Sequence, residues 1–349
     1  MRRPSFPWLP ITCALLLGAC GASQPAASPT GQPTATGAAP TPTATATASQ
    51  CTSTRGTTAT TPTLGTTAGT LATGRILFAI EGLGTGSFSL ATIDSSGFHA
   101  TPISDWTFAR ATWATADQIV FDSERAGDRH LFEMSMATGS VNQLTDGVLT
   151  AQESASVSVS ANRLVFTDYS CSQPLDLGLH VAKADGSDPV GLTPARAVGD
   201  LGDDEQASLA PDGRSVVFVR VTRGATGGLF IADAASGAVR RLTPDWGDVG
   251  HPRWSPDGRS ILFTQDSPQG DQAVYVVAAT GGEPRALTHF PAGDLAFQAD
   301  WSPDGSQIVF VYWDRQDHNA LWVMAADGSQ QQALWVGDHS EADWPDWGP

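Results

Sequence analysis

Tyr312-Trp313-Asp314-Arg315, with His318 three residues further on, gathers two aromatic rings, a carboxylate, a guanidinium and an imidazole in one short stretch. Rings of this kind stack on apolar faces, and the charged groups pair with or hydrogen-bond to a peptide or a glycan. Comparable residues recur at matching points of the chain: Glu124, Arg125, Tyr169, Arg220 and Asp266 follow apolar runs, while Trp246 and His251 precede one. Motifs for covalent or metal chemistry do not accompany them. There is no Gly-x-Ser-x-Gly elbow and no His-Glu-x-x-His zinc helix. Seven histidines are scattered, and although His251, His289 and His318 share one end of the repeats, no metal and no cofactor is expected. Gly82-Leu83-Gly84-Thr85-Gly86 lacks the third glycine of a nucleotide fingerprint and reads as a loop.

The elements that must position these residues repeat. Two aliphatic residues and a phenylalanine recur as Ile76-Leu77-Phe78, Ile119-Val120-Phe121, Leu164-Val165-Phe166, Val216-Val217-Phe218, Ile261-Leu262-Phe263 and Ile308-Val309-Phe310. The spacings of 43, 45, 52, 45 and 47 residues match propeller blades, and six copies predict six. Ahead of the phenylalanine, Trp254-Ser-Pro-Asp-Gly258 and Trp301-Ser-Pro-Asp-Gly305 each spell a tight turn joining a first strand to a second. The recurring Asp212, Asp257 and Asp304 are expected to bond turn backbone rather than calcium. A third apolar run, a second glycine turn and a short last strand complete four strands per unit. The second strand does not alternate polar and apolar residues, as expected of a sheet covered on both faces by neighbouring blades.

The two ends of the array share one unit. Pro345-Asp346-Trp347-Gly348-Pro349 matches the start of a repeat, and Gly74-Arg75-Ile76-Leu77-Phe78 matches its continuation. The C-terminal segment is therefore expected to pair beside the Ile76 strand and close an all-β, six-bladed ring over residues 73–349, leaving no open sheet edge.

Of the 349 residues, the first 19 carry Arg2, Arg3 and an apolar stretch too short to span a bilayer, which reads as a secretory signal. Residues 20–72 are almost wholly Ala, Thr, Pro, Ser and Gly and are expected to be a disordered tether. A net charge of −17 argues against nucleic acid and against docking on anionic lipid. Leu17-Gly18-Ala19-Cys20 resembles the bacterial lipoprotein signal, which implies that Cys20 is lipidated. More than one acyl chain on one residue makes a stable membrane anchor. Cys51 and Cys171 then remain as a possible disulfide in an oxidising compartment, with two unpaired thiols as the alternative.

With the Trp-Ser-Pro-Asp-Gly turns, the trailing phenylalanine and the endings Leu144-Thr145, Leu192-Thr193, Leu242-Thr243 and Leu287-Thr288, the chain resembles the TolB-type six-bladed propeller repeat. The resemblance implies the fold and leaves the activity open. In that family an α/β domain precedes the propeller, where this chain has the tether, and the propeller binds a peptidoglycan-associated lipoprotein. The expectation is a non-catalytic binding or scaffolding module, monomeric, held at the envelope by its anchor, with a protein or peptide partner on the face carrying the longer, varied loops. The alternative is a propeller lyase or hydrolase acting on glycans or peptides at that face.

Overall fold

The structure, a computed structural model, describes residues 66–67, 71, 73–82, 88–94, 97–101, 110–123, 129–145, 152–158, 161–170, 176–193, 203–222, 225–244, 248–266, 271–316, 318–336 and 340–349. The chain divides into units 1–59 and 60–349, and every described residue belongs to the second.

All described elements are strands: β1 (Thr66–Thr67), β2 (Arg75–Gly82), β3 (Phe88–Asp94), β4 (Gly97–Thr101), β5 (Ala111–Trp113), β6 (Gln118–Ser123), β7 (His130–Ser135), β8 (Val141–Gln143), β9 (Gln152–Ser158), β10 (Arg163–Ser170), β11 (Asp176–Lys183) and β12 (Val190–Gly191). There follow β13 (Asp203–Leu209), β14 (Ser215–Thr222), β15 (Ala225–Asp233), β16 (Val239–Arg241), β17 (Val249–Trp254), β18 (Ser260–Asp266), β19 (Gln272–Ala278), β20 (Arg285–Ala286), β21 (Leu295–Trp301), β22 (Gln307–Trp313), β23 (Asn319–Ala325), β24 (Gln332–Val336) and β25 (Ser340–Gly348). Four sheets of four strands are β25-β2-β3-β4, β5 to β8, β9 to β12 and β13 to β16. A nine-stranded sheet holds β17 to β20 and β21 to β24, joined by one parallel bridge, Gln272 with Leu295, with β1 on its outer edge. The innermost strands β5, β9, β13, β17, β21 and β25 each neighbour the next, and β25 neighbours β5. This is a closed propeller arrangement.

The closing strand pairs as the two matching ends predict: β25 runs antiparallel to β2, with Ile76 opposite Trp347 and Arg75 opposite Gly348. Asn319, at the start of β23, fastens β25 from the other side. Its Oδ1 accepts from the Ala342 N–H (2.7 Å), and its Nδ2 donates to the Ala342 carbonyl (3.2 Å). Gly348 lets the Trp113 ring of the next blade approach, since a Cβ there would overlap that ring.

Phe78, Phe121, Phe166, Phe218, Phe263 and Phe310 are all fully buried between blades, which explains the unbroken apolar runs of the second strands. The Leu-Thr endings have a physical cause. Each threonine hydroxyl accepts a third-strand N–H: Thr145 from Leu131, Thr193 from Leu179, Thr243 from Leu229 and Thr288 from Val274, at 3.0–3.1 Å. Asp257 and Asp304 bond their own turns, through Ser255 and the Arg259 N–H and through Ser302 and the Ser306 N–H. Those bonds hold both carboxyls below the ordinary value.

Residues ahead of 73 also join the fold. Thr66 and Thr67 pair with Val336 and Trp335, and Leu71 is buried in the cluster containing Trp335 and Trp347. The β-capable Thr-Thr pair finds an open edge on β24, and Leu71 supplies apolar burial that the composition of the segment as a whole does not suggest.

Candidate functional site

The channel lining comes from one register position. The residue just before the Trp-Ser-Pro-Asp-Gly tryptophan, or its equivalent, is Thr112 in β5, Ser156 in β9, Ser208 in β13, Arg253 in β17, Asp300 in β21 and Asp346 in β25. Together with Trp113, Trp254, Trp347 and the turn residues Thr115 and Ala116, these six line a central cavity of about 490 Å³. Strand alternation alone would not aim them inward. A register shift lies between Glu205 and Ser208, Gly250 and Arg253, and Phe297 and Asp300, and one in β2 faces β25. At these bulges Gln206, His251, Gln298 and Trp344 adopt φ of 52–54°, a left-handed backbone unusual outside glycine.

Those four residues make a second layer on the far side of the cavity from the turns. The Gln206 side-chain carbonyl accepts from the His251 N–H (2.7 Å), and the Gln298 carbonyl accepts from the Trp344 N–H (2.8 Å). The Trp344 ring meets residues of two other blades. Its centroid is 4.9 Å from the His251 ring, met edge-on, and the Arg110 guanidinium lies 4.8 Å over its face. Arg110, Trp344 and His251 thus pack together as one group, a cation–π contact beside an edge-on ring contact. Burial, and then the charges of Arg110 and Arg253, hold the His251 imidazole well below 6.5, so it is neutral.

In the layer above, the Asp346 carboxylate accepts from the Trp113 N–H (2.7 Å) and the Thr112 hydroxyl (3.0 Å). Asp300 accepts from the Trp347 N–H (2.7 Å), and its other oxygen stands 3.9 Å from Arg253 Nε. Burial, and then the neighbouring Asp346 charge, push Asp300 up to about 7. Burial also raises Asp346, against the pull of Arg253 and the hydrogen bonds it accepts. Two buried carboxyls beside one guanidinium can share a proton, or accept from a ligand's N–H or O–H groups.

The residues singled out on the varied face fare differently. Arg220 forms a two-pronged pair with buried Asp204 (2.6 and 2.8 Å) and lies over Phe218 and Phe230, so it braces its own blade. Tyr312 donates to Asp294 (2.7 Å), to which Arg315 also reaches at 3.4 Å. Burial and then this carboxylate push the Tyr312 hydroxyl up to about 12. Trp313 is buried, whereas Arg315 and His318 keep more than half of their side chains exposed, His318 against Asp314 at 2.9 Å. Asp266 accepts from Gln272 (2.8 Å), and burial raises its pKa. His251 is buried within β17, its ring against that of Trp344. Tyr169 falls within β10. Cys20, Cys51, Cys171, Glu124, Arg125 and Trp246 lie outside the described residues. Among the described residues no group of three His, Cys, Asp or Glu side chains is placed to hold a metal.

Sequence reasoning did not single out the lining. A signal for it exists, since the position before each tryptophan or its equivalent is polar in every repeat.

The fold and its channel make this a β-propeller protein. The family described as the tricorn protease N-terminal β-propeller domain matches residues 221–348. Among solved structures, the chain is similar to TolB from Acinetobacter baumannii at 20% identity and a TM-score of 0.64, covering 79% of this chain and 67% of that one. A putative TolB from Agrobacterium tumefaciens matches at 20% identity and a TM-score of 0.57, over 80% of this chain and 100% of that one. An oligogalacturonate lyase from Vibrio parahaemolyticus matches at 15% identity and a TM-score of 0.50, over 76% and 75%. At these identities the likeness is one of fold. No curated protein matches the sequence.

Proposed function

We propose that this protein is a non-catalytic binding module of the bacterial cell envelope, lipid-anchored through Cys20, with a six-bladed propeller that engages a protein or peptide partner. The count of six takes the nine-stranded sheet as two blades bridged at one point. The lipoprotein-like motif ahead of Cys20 and the low-complexity segment after it support anchoring and tethering. The fold likeness to TolB supports an envelope role.

The observation that carries the binding reading is the channel: a concave cavity of about 490 Å³ with Arg253, Asp300 and Asp346 converging in its wall. Pockets of this size, with a few converging polar groups, are the usual form of a ligand site. The exposed Arg315 and His318 keep the varied face as a second candidate surface. Photo-crosslinking in cells, with the reactive residue placed at Thr115 in one strain and at Arg315 in another, tests this. A single recurrent envelope protein captured from one face supports the reading, and no capture from either position refutes it.

A second reading has one specific observation in its favour. Asp300, held near 7 beside a second carboxyl, has the character of a general acid. A lyase or hydrolase in the cavity would turn over acidic oligosaccharides or peptides and lose that turnover in Asp300→Asn; absence of turnover on both classes removes it.

A further inference from the structure

At four seams the N–H at the tryptophan position of an inner strand donates to a side chain of the preceding blade. Ser156 Oγ accepts from the Leu209 N–H (3.1 Å) and Ser208 Oγ from the Trp254 N–H (3.5 Å). At the two seams flanking the closing strand the same task falls to carboxyls, Asp300 for the Trp347 N–H and Asp346 for the Trp113 N–H, both at 2.7 Å. A neutral hydroxyl suffices to satisfy the amide. A buried carboxylate does so at the cost of desolvation, and two in one cavity add mutual repulsion. Of these four seams, the two with the costly acceptors are those on either side of the closing strand.

We propose that Asp300 and Asp346 form a proton-operated latch on the closing strand: the seams on either side of β25 are tightest while the pair is protonated and loosen as the two carboxyls ionise. The charged and titratable groups facing the pair are Arg253 and His251 from β17 and Arg110 ahead of β5. The inward groups of β9 and β13, Ser156 and Ser208, are neutral. Arg253, 3.9 Å from Asp300, and Arg110 both favour ionisation, but burial outweighs them. Opening a seam hydrates them, so each proton lost from the closed ring favours opening. This goes beyond the binding reading and does not need a ligand.

The direction follows from linkage. A carboxyl held above its free value keeps its proton to higher pH in the closed ring than in the open one. Closure is therefore strongest below about pH 4 and weakens by up to about tenfold per pH unit until the closed-state value is passed. For Asp300 that upper limit is about 7. His251, held neutral, acts in the opposite sense below 6.5, and the Trp254 amide on the same strand reports its contribution.

Amide hydrogen exchange on the full chain between pH 5.5 and 8, expressed as protection factors to remove the intrinsic pH dependence, reads each seam separately. Protection at Trp347 and Trp113 is expected to fall about tenfold or more across that range, with Leu209 unchanged and Trp254, on the His251 strand, level or rising. Asp300→Asn, which keeps an acceptor for the Trp347 N–H, should flatten the dependence. Equal pH dependence at all four amides, or protection at Trp347 that rises with pH, overturns the latch. The wild-type contrast alone decides it should the variant fail to fold.

Discussion

Removing the Trp347 side chain tests whether β25 is a clasp or an adherent tail. The residue is 5% exposed, its ring lies in the cluster with Ile76, Phe78, Ile93 and Leu334, and its Nε1 donates to the Thr73 carbonyl at 2.8 Å. A side chain of this kind buries roughly 200 Å², which at about 25 cal/mol per Å² sets an upper bound near 5 kcal/mol. Measured Trp→Ala losses in cores fall at about 3–5 kcal/mol, so Trp347→Ala should cost that much. Trp347→Phe keeps most of the apolar contact and loses the Nε1 bond. Because Thr73 is exposed, water replaces that donor, and the cost should stay near about 1 kcal/mol. Urea unfolding of the full chain, followed by circular dichroism, reads both. A clasp predicts that Trp347→Ala shifts the whole transition, because an open ring exposes β2 and the β5 blade together. A tail predicts a small early transition with the main midpoint unmoved. That outcome, or a loss below about 1 kcal/mol for Trp347→Ala, refutes the closure argument.

Gly348→Ala places a methyl against the Trp113 ring and should destabilise by about 1–3 kcal/mol in the same urea assay, the range for overpacking. Arg220→Met leaves the Asp204 carboxylate buried without its guanidinium and should cost about 3–5 kcal/mol, whereas the double change with Asp204→Leu should recover much of it; a thermal melt of each decides. Thr288→Val keeps the shape but strips the acceptor from the Val274 N–H, for a loss of about 1–2 kcal/mol, and exchange at that amide should quicken. The turn carboxyls Asp257 and Asp304 are held below their free value, so their contribution is present above about pH 4 and lost as pH falls through the lowered value. Asp257→Asn with Asp304→Asn should lower stability above about pH 5, leave the acid end unchanged, and so blunt the acid limb of a stability–pH profile.

The repeat was legible because it is local. A phenylalanine after two aliphatics, a Pro-Asp-Gly turn and a terminal Leu-Thr each act within one blade, so period and turn chemistry are written in consecutive residues. The split unit at the two ends was legible for the same reason, and β25 lies beside β2 in the register it implies. The expected face residues read less well. Tyr312 and Arg220 carry the right chemistry for a rim, yet they bond Asp294 and Asp204, and only coordinates reveal such partners.

Residue types and spacing by themselves determined the all-β blades, their turns and the join between the termini. Tertiary structure alone decided the channel. Arg253, Asp300 and Asp346 belong to three different repeats and become neighbours only once the ring is closed, and inner-strand bulges at His251, Gln298 and Trp344 turn side chains inward against simple alternation. Blade periodicity specifies what each strand does within its own sheet. Which groups meet on the axis depends on closure, and burial there converts ordinary carboxyls into a pair that holds a proton near neutrality.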